Sequence, residues 1–294
     1  MKWPVFVVAA MIAGCHNPSS PSPTPGPGPA PEPGPSGILV GAGDISRCGT
    51  PGAELTGRLL DRLPGTVFAA GDNAYMSGSP EEYRQCYAPY WGRHMSRTRP
   101  VTGNHDYGTP GAAGYFGYFG ASAGEAGVGY YAYSVGPWRV IALNSEIDAS
   151  AGSAQVRWLR SELTANRTTC TLAIFHRPLY SSGANGPNAD MREFWRTLLE
   201  FGAEVVLNGH DHQYERFAPQ DADGRADPAR GIRQFTVGTG GAPLYPIYGP
   251  RANSEVQGTG FGVLSLTLSS GAYQWEFVPA DGTTFRDAGS GTCH

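Results

Sequence analysis

Short apolar runs alternate with helical stripes along the chain, a pattern typical of an α/β protein. Runs of four to eight mostly apolar residues predict buried strands. These runs lie at residues 37–43, 66–70, 171–175, 204–207, 233–237, 262–268 and 273–278. Residues 130–143 predict a hairpin that turns at Gly136-Pro137. The chain therefore predicts a sheet with intervening helices, and its last third is mostly strand.

Three amphipathic stripes predict helices between these strands. Their apolar positions are Leu55, Leu59, Leu60 and Leu63; Val156, Leu159 and Leu163; and Met191, Phe194, Trp195, Leu198 and Leu199. The first helix begins at Thr50-Pro51, since proline is favoured at a helix start. In the third, Asp190 is the expected N-cap, Glu193 completes a capping box, and Gly202 ends the helix.

The N-terminus predicts an export signal rather than part of the fold. The apolar run 3–13 follows Lys2 and is shorter than the roughly 20 residues that span a bilayer. It ends in Ile12-Ala13-Gly14-Cys15, which resembles the lipobox of bacterial lipoproteins. We therefore expect residues 1–15 to be a lipoprotein signal peptide. A lipid on Cys15 would anchor the protein to the membrane outside the cytoplasm, and plain secretion is the alternative.

A proline-rich segment follows the expected lipid site. Nine of residues 17–36 are proline, which excludes helix and inner strand. Such a segment forms an extended spacer of about 3.1 Å per residue, or roughly 60 Å in total. Residues 16–36 are thus predicted to be a linker, and residues 37–294 a folded domain.

The amino-acid composition excludes few classes of protein function. The chain has 294 residues, a net charge of −4 and 16% charged residues, so no basic excess points to nucleic acid. Cys48, Cys86, Cys170 and Cys293 make an even set in a chain expected to be exported, which suggests disulfides. Three pairings are possible, and we favour Cys48–Cys86 with Cys170–Cys293.

Residues that can bind metal ions follow the predicted strands, at the sheet edge where α/β proteins bind ligands. They are Asp44, Asp72, Asn104, His105, His176, His210 and His212. His210 and His212 alternate in an extended segment, so both imidazoles can face the same site. Each motif alone also fits a turn, a capped loop or a buried histidine. Their coincidence predicts a metal centre.

The ordered motifs resemble the calcineurin-like metallophosphoesterase superfamily. They read Asp44, Gly71-Asp72, Gly103-Asn104-His105-Asp106, His176 and Gly209-His210-Asp211-His212. Most members have a ligand histidine where this chain has Ser46. Purple acid phosphatases lack that histidine and use a tyrosine three residues after the second aspartate, which Tyr75 matches. Ser46 is itself a departure, because those enzymes usually have glycine there.

The resemblance implies a four-layer αββα sandwich with two mixed β-sheets and a two-metal phosphoric ester hydrolase. The implied ligands are Asp44, Asp72, Tyr75 and His212 for the first ion, and Asp72, Asn104, His176 and His210 for the second. Carboxylate and phenolate suit Fe(III), whereas imidazole suits Fe(II), Zn(II) or Mn(II). We expect Asn104 and His105 to act in catalysis, with His105 protonating the leaving oxygen or stabilising charge there.

The expected activity is phosphomonoester hydrolysis of the purple acid phosphatase type, on a phosphorylated small molecule or another phosphoester. A phosphodiesterase with the same centre is the alternative within this class, and a catalytically silent surface binding lipoprotein is the alternative outside it. Gly120-Ala121-Ser122-Ala123-Gly124 fits the serine hydrolase motif. That motif needs a preceding strand and a following helix, which the surrounding Gly/Ala-rich sequence does not predict.

Overall fold

The apolar runs form two mixed β-sheets in this computed structural model, which describes residues 1–4, 36–168 and 170–294. The first sheet contains, in spatial order, β15 (Ala288–Thr292), β14 (Ala272–Pro279), β13 (Gly262–Ser269), β1 (Gly37–Ala42), β3 (Thr66–Ala70) and β5 (Thr98–Val101). The second contains β12 (Ser254–Gly258), β10 (Tyr214–Phe217), β11 (Arg233–Val237), β9 (Val205–Asn208), β8 (Thr171–Ile174), β7 (Trp138–Ala142) and β6 (Tyr131–Val135). Two short strands, β2 (Ser46–Arg47) and β4 (Ala74–Tyr75), pair separately.

Parallel pairing brings the candidate site residues to one edge of each sheet. In the first sheet, β1, β3 and β5 are mutually parallel neighbours. In the second, the parallel neighbours are β7, β8, β9 and β11. The loops that leave the carboxyl ends of these strands carry the metal-capable residues, as expected for an α/β sheet.

Helices cover the outer faces of both sheets. They are α1 (Gly52–Leu60), α2 (Pro80–Glu82), α3 (Ala113–Phe119), α4 (Ala154–Ala165) and α5 (Arg192–Glu200). One apolar cluster joins the facing sides of the two sheets, and aromatic residues of segment 83–119 extend it. A second cluster lies between the second sheet and helices α4 and α5. The predicted four-layer αββα sandwich with two mixed sheets is confirmed.

All three predicted helices are present, as α1, α4 and α5, but the predicted N-cap of the third helix is wrong. Asp190 does not cap the third helix: the side chain of Asn188 accepts the Asp190 amide, and a 3₁₀ turn over Ala189–Met191 precedes α5. Glu193 pairs with Arg196 at 2.7 Å instead of forming a capping box. Gly202, with φ of +70°, follows the helix end as predicted.

Both favoured disulfides are confirmed. Cys48 pairs with Cys86, with 5.1 Å between Cα atoms, and Cys170 pairs with Cys293 at 5.6 Å. The first bond ties the residue after β2 to a π-helical turn over Tyr83–Tyr87. The second links the residue before β8, in the second sheet, to the residue after β15, in the first.

The export signal and linker remain predictions. Cys15, residues 5–14 of the signal and residues 16–35 of the linker lie outside the described residues. The chain divides into two units, Met1–Glu32 and Pro33–His294, and all described helices and strands belong to the second. Within the described ranges, no helix has both the length and the apolar character that a bilayer crossing requires.

Candidate metal centre

The backbone is left-handed at three of the predicted ligands. Asp44, Asp72 and His210 have φ values of +59°, +50° and +74°. Elsewhere in the described residues, only Ala112 and Asn253 share this conformation without being glycine. Side chains rarely adopt it, and such strained positions cluster at functional sites. The strand-end turns therefore hold these side chains at a conformational cost.

Glycines in the motifs allow the loops to approach one another closely. A Cβ atom at Gly103 would overlap Oδ1 of Asp72, and a Cβ at Gly209 would lie 2.6 Å from Oδ2 of Asp44. Real Cβ atoms essentially never come this close to another heavy atom. Glycine is therefore required at the first position of each of these two motifs, because a side chain there would overlap the aspartate of a different loop.

Tyr75 lies at the centre of the first group of donors. Its phenol oxygen is 2.8 Å from Asp44 Oδ1, 3.0 Å from Asp72 Oδ2 and 3.1 Å from His212 Nε2. Asp44 Oδ1 is in turn 3.3 Å from His212 Nε2. Four side chains from three separate loops therefore converge on one buried point.

Asp72 joins this group to a second one. Its Oδ2 lies 3.3 Å from His176 Nε2, which is 3.2 Å from His210 Nδ1. One donor atom from each of these three residues falls within 4.8 Å of the other two. Asp72 is thus shared between both groups, the position that a bridging carboxylate requires.

Backbone carbonyls orient two of the histidines. His176 Nδ1 lies 2.9 Å from the Ala70 carbonyl, and His212 Nδ1 lies 2.7 Å from the Pro243 carbonyl. A carbonyl accepts only from a protonated ring nitrogen, so Nδ1 carries the hydrogen in each. The Nε2 atoms then face the carboxylates, as in metal-binding histidines whose other nitrogen is fixed by an acceptor.

Asn104 lies beside Asp72, although its own side chain has no partner. The amide of the next residue, His105, donates to Asp72 Oδ1 at 2.7 Å. Oδ1 of Asn104 is buried and has no hydrogen-bond partner among the described residues. A buried amide oxygen without a donor is costly unless something binds it. A cation bound to the Asn104 oxygen would remove this cost.

His105 lies at the rim of the site rather than within it. Its ring packs against Tyr75, with 4.4 Å between centroids, and its Nδ1 is 2.6 Å from the Met76 carbonyl. Nε2 is 3.9 Å from Asp72 Oδ2, too far for a hydrogen bond. This nitrogen is consequently available to a molecule that enters the site.

Electrostatics inside the first group keep the tyrosine protonated. Burial opposes charge on Asp44 and Asp72, but His212 and His176 respectively outweigh it and hold both carboxyl pKa values below their ordinary range. Burial and these two carboxylates raise the pKa of Tyr75 well above its ordinary value of 10.0. Without a cation, the phenol therefore donates its hydrogen to the carboxylates.

The second group concentrates its positive charge on one imidazole. Burial lowers the pKa of His176, but Asp72 outweighs it and raises that pKa to about 10. Burial, followed by the charge on His176, lowers the pKa of His210 to about 3. A cation that binds here must displace protons from His176 and Tyr75, as metal ions do when they bind protonated ligands.

The residues fit two cations. Metal–ligand bonds to oxygen and imidazole nitrogen measure about 2.0–2.2 Å, so neighbouring donors around one ion lie about 3 Å apart. The separations of 2.8–3.3 Å within the two groups agree with this spacing. The buried Asn104 oxygen, which has no hydrogen-bond partner among the described residues, can supply a further neutral donor.

Asp106 holds two of the ligand loops together, a role that the sequence alone did not reveal. Its carboxylate is fully buried and accepts from the Tyr83 hydroxyl at 2.6 Å, the Gly103 amide at 2.9 Å and Asn73 Nδ2 at 3.0 Å. Burial, together with the nearby Asp72 charge, raises its pKa to about 6. Its position within the third motif, Gly103-Asn104-His105-Asp106, was the available signal.

Two further neighbours of the site carried no sequence signal. Arg177 places a guanidinium nitrogen 3.3 Å from His210 Nε2, while its Nε donates to Glu146 at 3.0 Å. Tyr245 stacks on the His212 ring, with 4.1 Å between centroids and 5° between planes. Both contacts depend on long-range folding, which periodicity and spacing do not encode.

The remaining candidates lie away from the centre. His94, whose side chain is largely buried, contacts Asp61 at 3.2 Å, and His294 contacts Glu204 at 2.8 Å. Ser122 lies in a 3₁₀ turn, Gly120–Ala123, that follows helix α3 rather than a strand. The rejection of the serine hydrolase motif is thereby confirmed.

Comparison with known proteins defines the class. Residues 31–214, more than half of the chain, match the model of the calcineurin-like phosphoesterase family, so the chain belongs to that family. Among curated proteins, it is similar to an acid phosphatase of Aspergillus ficuum, with 28% identity over 170 residues that cover 50% of this chain and 28% of the relative.

Plant relatives and solved structures refine the comparison. Purple acid phosphatase 18 of Arabidopsis thaliana is 34% identical over 118 residues, 38% of this chain and 26% of the relative. The chain therefore spans only about a quarter of the length of these two curated relatives. The fold matches purple acid phosphatase PPD1 from yellow lupin (Lupinus luteus), with a TM-score of 0.71, 19% identity, and coverage of 90% of this chain and 55% of that one.

Proposed function

We propose that the protein hydrolyses phosphomonoesters with a dinuclear metal centre of the purple acid phosphatase type. The observation that carries this proposal is the convergence of Asp44, Asp72, Tyr75 and His212, and of Asp72, His176 and His210, at donor separations that suit cations. Membership of the calcineurin-like phosphoesterase family and the purple acid phosphatase relatives support the same chemistry.

Each proposed ion has its own ligands. The first would be held by Asp44, Asp72, Tyr75 and His212, and the second by Asp72, Asn104, His176 and His210. When bound, the two cations supply Lewis-acid chemistry, since they lower the pKa of water and offset the charge on phosphate. Hard phenolate and carboxylate donors favour Fe(III) at the first position, and imidazoles favour Fe(II), Zn(II) or Mn(II) at the second.

His105 would supply a proton to the leaving oxygen. The Met76 carbonyl accepts from Nδ1, so a proton gained by the ring resides on Nε2. Nε2 lies 3.9 Å from the Asp72 carboxylate and makes no hydrogen bond to it. Nε2 can therefore donate to the oxygen that leaves as the phosphoester bond breaks.

An assay with paired substrates tests the proposal. Protein loaded with iron, zinc or manganese should hydrolyse p-nitrophenyl phosphate faster than bis-p-nitrophenyl phosphate, and chelator-treated protein should hydrolyse neither. A preference for the diester would instead identify a phosphodiesterase. Loaded protein that hydrolyses neither substrate would favour the catalytically silent alternative. One relative is named probable inactive purple acid phosphatase 9 of Arabidopsis thaliana.

Replacing Tyr75 by phenylalanine tests the identity of the first ion. A phenolate bound to Fe(III) absorbs in the visible region, so the iron-loaded protein should be coloured and the Y75F protein colourless. Visible spectra and metal analysis of both proteins make the comparison. The matched control is Tyr245→Phe, which keeps the ring stacked on His212 and should keep the colour. A colourless iron-loaded parent protein would remove Fe(III)–tyrosinate from the proposal.

We further propose that the protein is exported and anchored by a lipid on Cys15. The support is the sequence alone: a short apolar run ending at Ile12-Ala13-Gly14-Cys15, followed by the proline-rich spacer. The wild-type protein should incorporate labelled fatty acid and sediment with membranes, and the Cys15→Ser variant should do neither. Equal membrane association of both proteins would contradict the anchor.

A further inference from the structure

Exposed large apolar side chains in the second unit gather in two short segments. Among its described residues, only Met76, Ile247 and Tyr248 combine a large apolar side chain with high exposure, at 54%, 41% and 49%. Single exposed apolar residues are ordinary, but a cluster of them marks a binding surface. Whether these side chains form a binding surface therefore depends on their position relative to the candidate metal centre.

Both segments contact the candidate metal centre directly. Met76 follows the proposed ligand Tyr75, and its carbonyl meets the His105 ring at 2.6 Å. Ile247 and Tyr248 follow Tyr245, whose ring stacks on His212. The Tyr75 and His212 rings are themselves edge to face, 5.8 Å apart between centroids. A continuous chain of contacts thus connects the two segments across the proposed first metal position.

The segment that carries Ile247 and Tyr248 is held at both ends. The Tyr245 amide donates to the His212 carbonyl at 3.0 Å, and the Arg251 amide donates to the Ser182 hydroxyl at 2.9 Å. Pro246 and Pro250 flank the exposed pair and fix φ at their positions. Holding the two side chains outward therefore costs little conformational entropy.

The opposite side of the centre has a different character. There Arg177 and Glu146 pair at 3.0 Å in the wall of a polar cleft of about 730 Å³, which is also lined by Asp148, Asp190 and Arg192. Arg177 contacts His210, a proposed ligand of the second ion. The site therefore has one apolar side, near the first ion and His105, and one charged side, near the second.

We propose that this apolar mouth, formed by Met76, Ile247 and Tyr248, binds the apolar part of the substrate's leaving group. The inference rests on the proposed phosphomonoesterase function and names its substrate class as phosphomonoesters of apolar alcohols. A group that receives a proton from His105 must lie next to this ring, whose Nδ1 contacts the backbone carbonyl of Met76. Water at this surface would be displaced by an alkyl chain or an aromatic ring.

A series of alkyl phosphates tests the proposal. Ethyl, butyl and hexyl phosphate share leaving groups of similar basicity and differ mainly in apolar surface. kcat/KM of the metal-loaded wild-type protein should rise about twofold for each added methylene, which corresponds to half of the free energy gained when a methylene is fully buried. The expected rise from ethyl to hexyl phosphate is therefore roughly 16-fold. In the Ile247→Ser/Tyr248→Ser variant, this ratio should fall below about fourfold.

Ratios within one protein cancel general losses of folding or metal loading. A second variant, Met76→Ser, leaves its backbone carbonyl in place and should also reduce the hexyl-to-ethyl ratio. The matched control is the Leu199→Ser variant. Leu199 is a partly buried apolar residue in the last turn of α5, at the sheet edge opposite the candidate metal centre. The hexyl-to-ethyl ratio of this variant should match that of the wild type.

The outcomes separate this inference from the proposed function. No hydrolysis of any monoester would contradict the proposed function itself. Hydrolysis with no chain-length dependence, or with equal dependence in wild type and both mouth variants, would overturn the apolar mouth alone. Equal ratios combined with loss of sedimentation with phospholipid vesicles in the Ile247→Ser/Tyr248→Ser variant would assign the surface to membrane contact and also overturn the inference.

Discussion

Replacing His105 by alanine should lower kcat for an alkyl phosphate about 10²–10⁴-fold, the range for loss of a general acid. The ring lies at the rim and contacts no proposed ligand through its nitrogens at hydrogen-bond distance, so both ions should stay bound. Its backbone amide, which donates to Asp72 Oδ1, is unchanged by the substitution. Kinetics and metal analysis on the same preparation measure both effects.

The leaving group provides a sharper readout than rate alone. An alcohol or phenol that leaves readily as an anion needs little protonation. The loss in His105→Ala should therefore be largest for alkyl phosphates and smallest for p-nitrophenyl phosphate. His94→Ala removes a histidine that contacts Asp61 away from the candidate metal centre and should leave the dependence on leaving group unchanged. An identical loss for every leaving group would indicate that His105 acts on phosphate binding instead of protonation.

Replacing Asp106 by alanine should lower the free energy of unfolding by about 3–5 kcal/mol. The change leaves the buried Tyr83 hydroxyl and the Gly103 amide without an acceptor, and each such group costs about 1–3 kcal/mol. Asn73 Nδ2 loses one of its two acceptors and keeps the Val101 carbonyl. The total is smaller than the sum because Asp106 itself is costly to bury as an anion, as its raised pKa indicates. Urea unfolding of the metal-free protein measures the difference.

A conservative change at one donor calibrates that result. Tyr83→Phe removes one of the donors while keeping the ring, and should cost only about 1 kcal/mol. Both proteins should then be titrated with metal, because Asp106 fixes the loops that carry Asp72 and Asn104. Weaker metal binding in Asp106→Ala but not in Tyr83→Phe would support this role. A wild-type free energy of unfolding in Asp106→Ala would show that the Asp106 contacts do not stabilise these loops.

The strong apolar patterns were sufficient to predict many of the strands and three helices, whereas the four-layer arrangement followed from the family resemblance. Runs such as 66–70 and 171–175 are buried on both faces, and they became β3 and β8. β5 was not predicted, because an edge strand needs no continuous apolar run and tolerates Pro100. The short helical turns over residues 80–123 were also missed, since aromatic packing rather than a regular stripe stabilises them.

The candidate site was predictable where chemistry follows local sequence. Motif order placed aspartates and histidines at strand ends, and the structure brings those side chains together. Asp106 has a structural role that appears only when its acceptor contacts are traced to three different donors. Tyr245 and Arg177 reach the site through loops whose direction no periodicity determines. Tertiary contacts thus account for most of what the sequence left open.

The left-handed turns at Asp44, Asp72 and His210 also restrict which mutations these positions can accept. Asparagine enters this backbone region more readily than alanine or a β-branched residue. Loss of the metal centre by drift should therefore pass most easily through Asp-to-Asn exchanges, which silence a ligand while preserving the turn. For the same reason, asparagine is the better probe in mutagenesis here, since alanine would confuse lost ligation with a relaxed backbone.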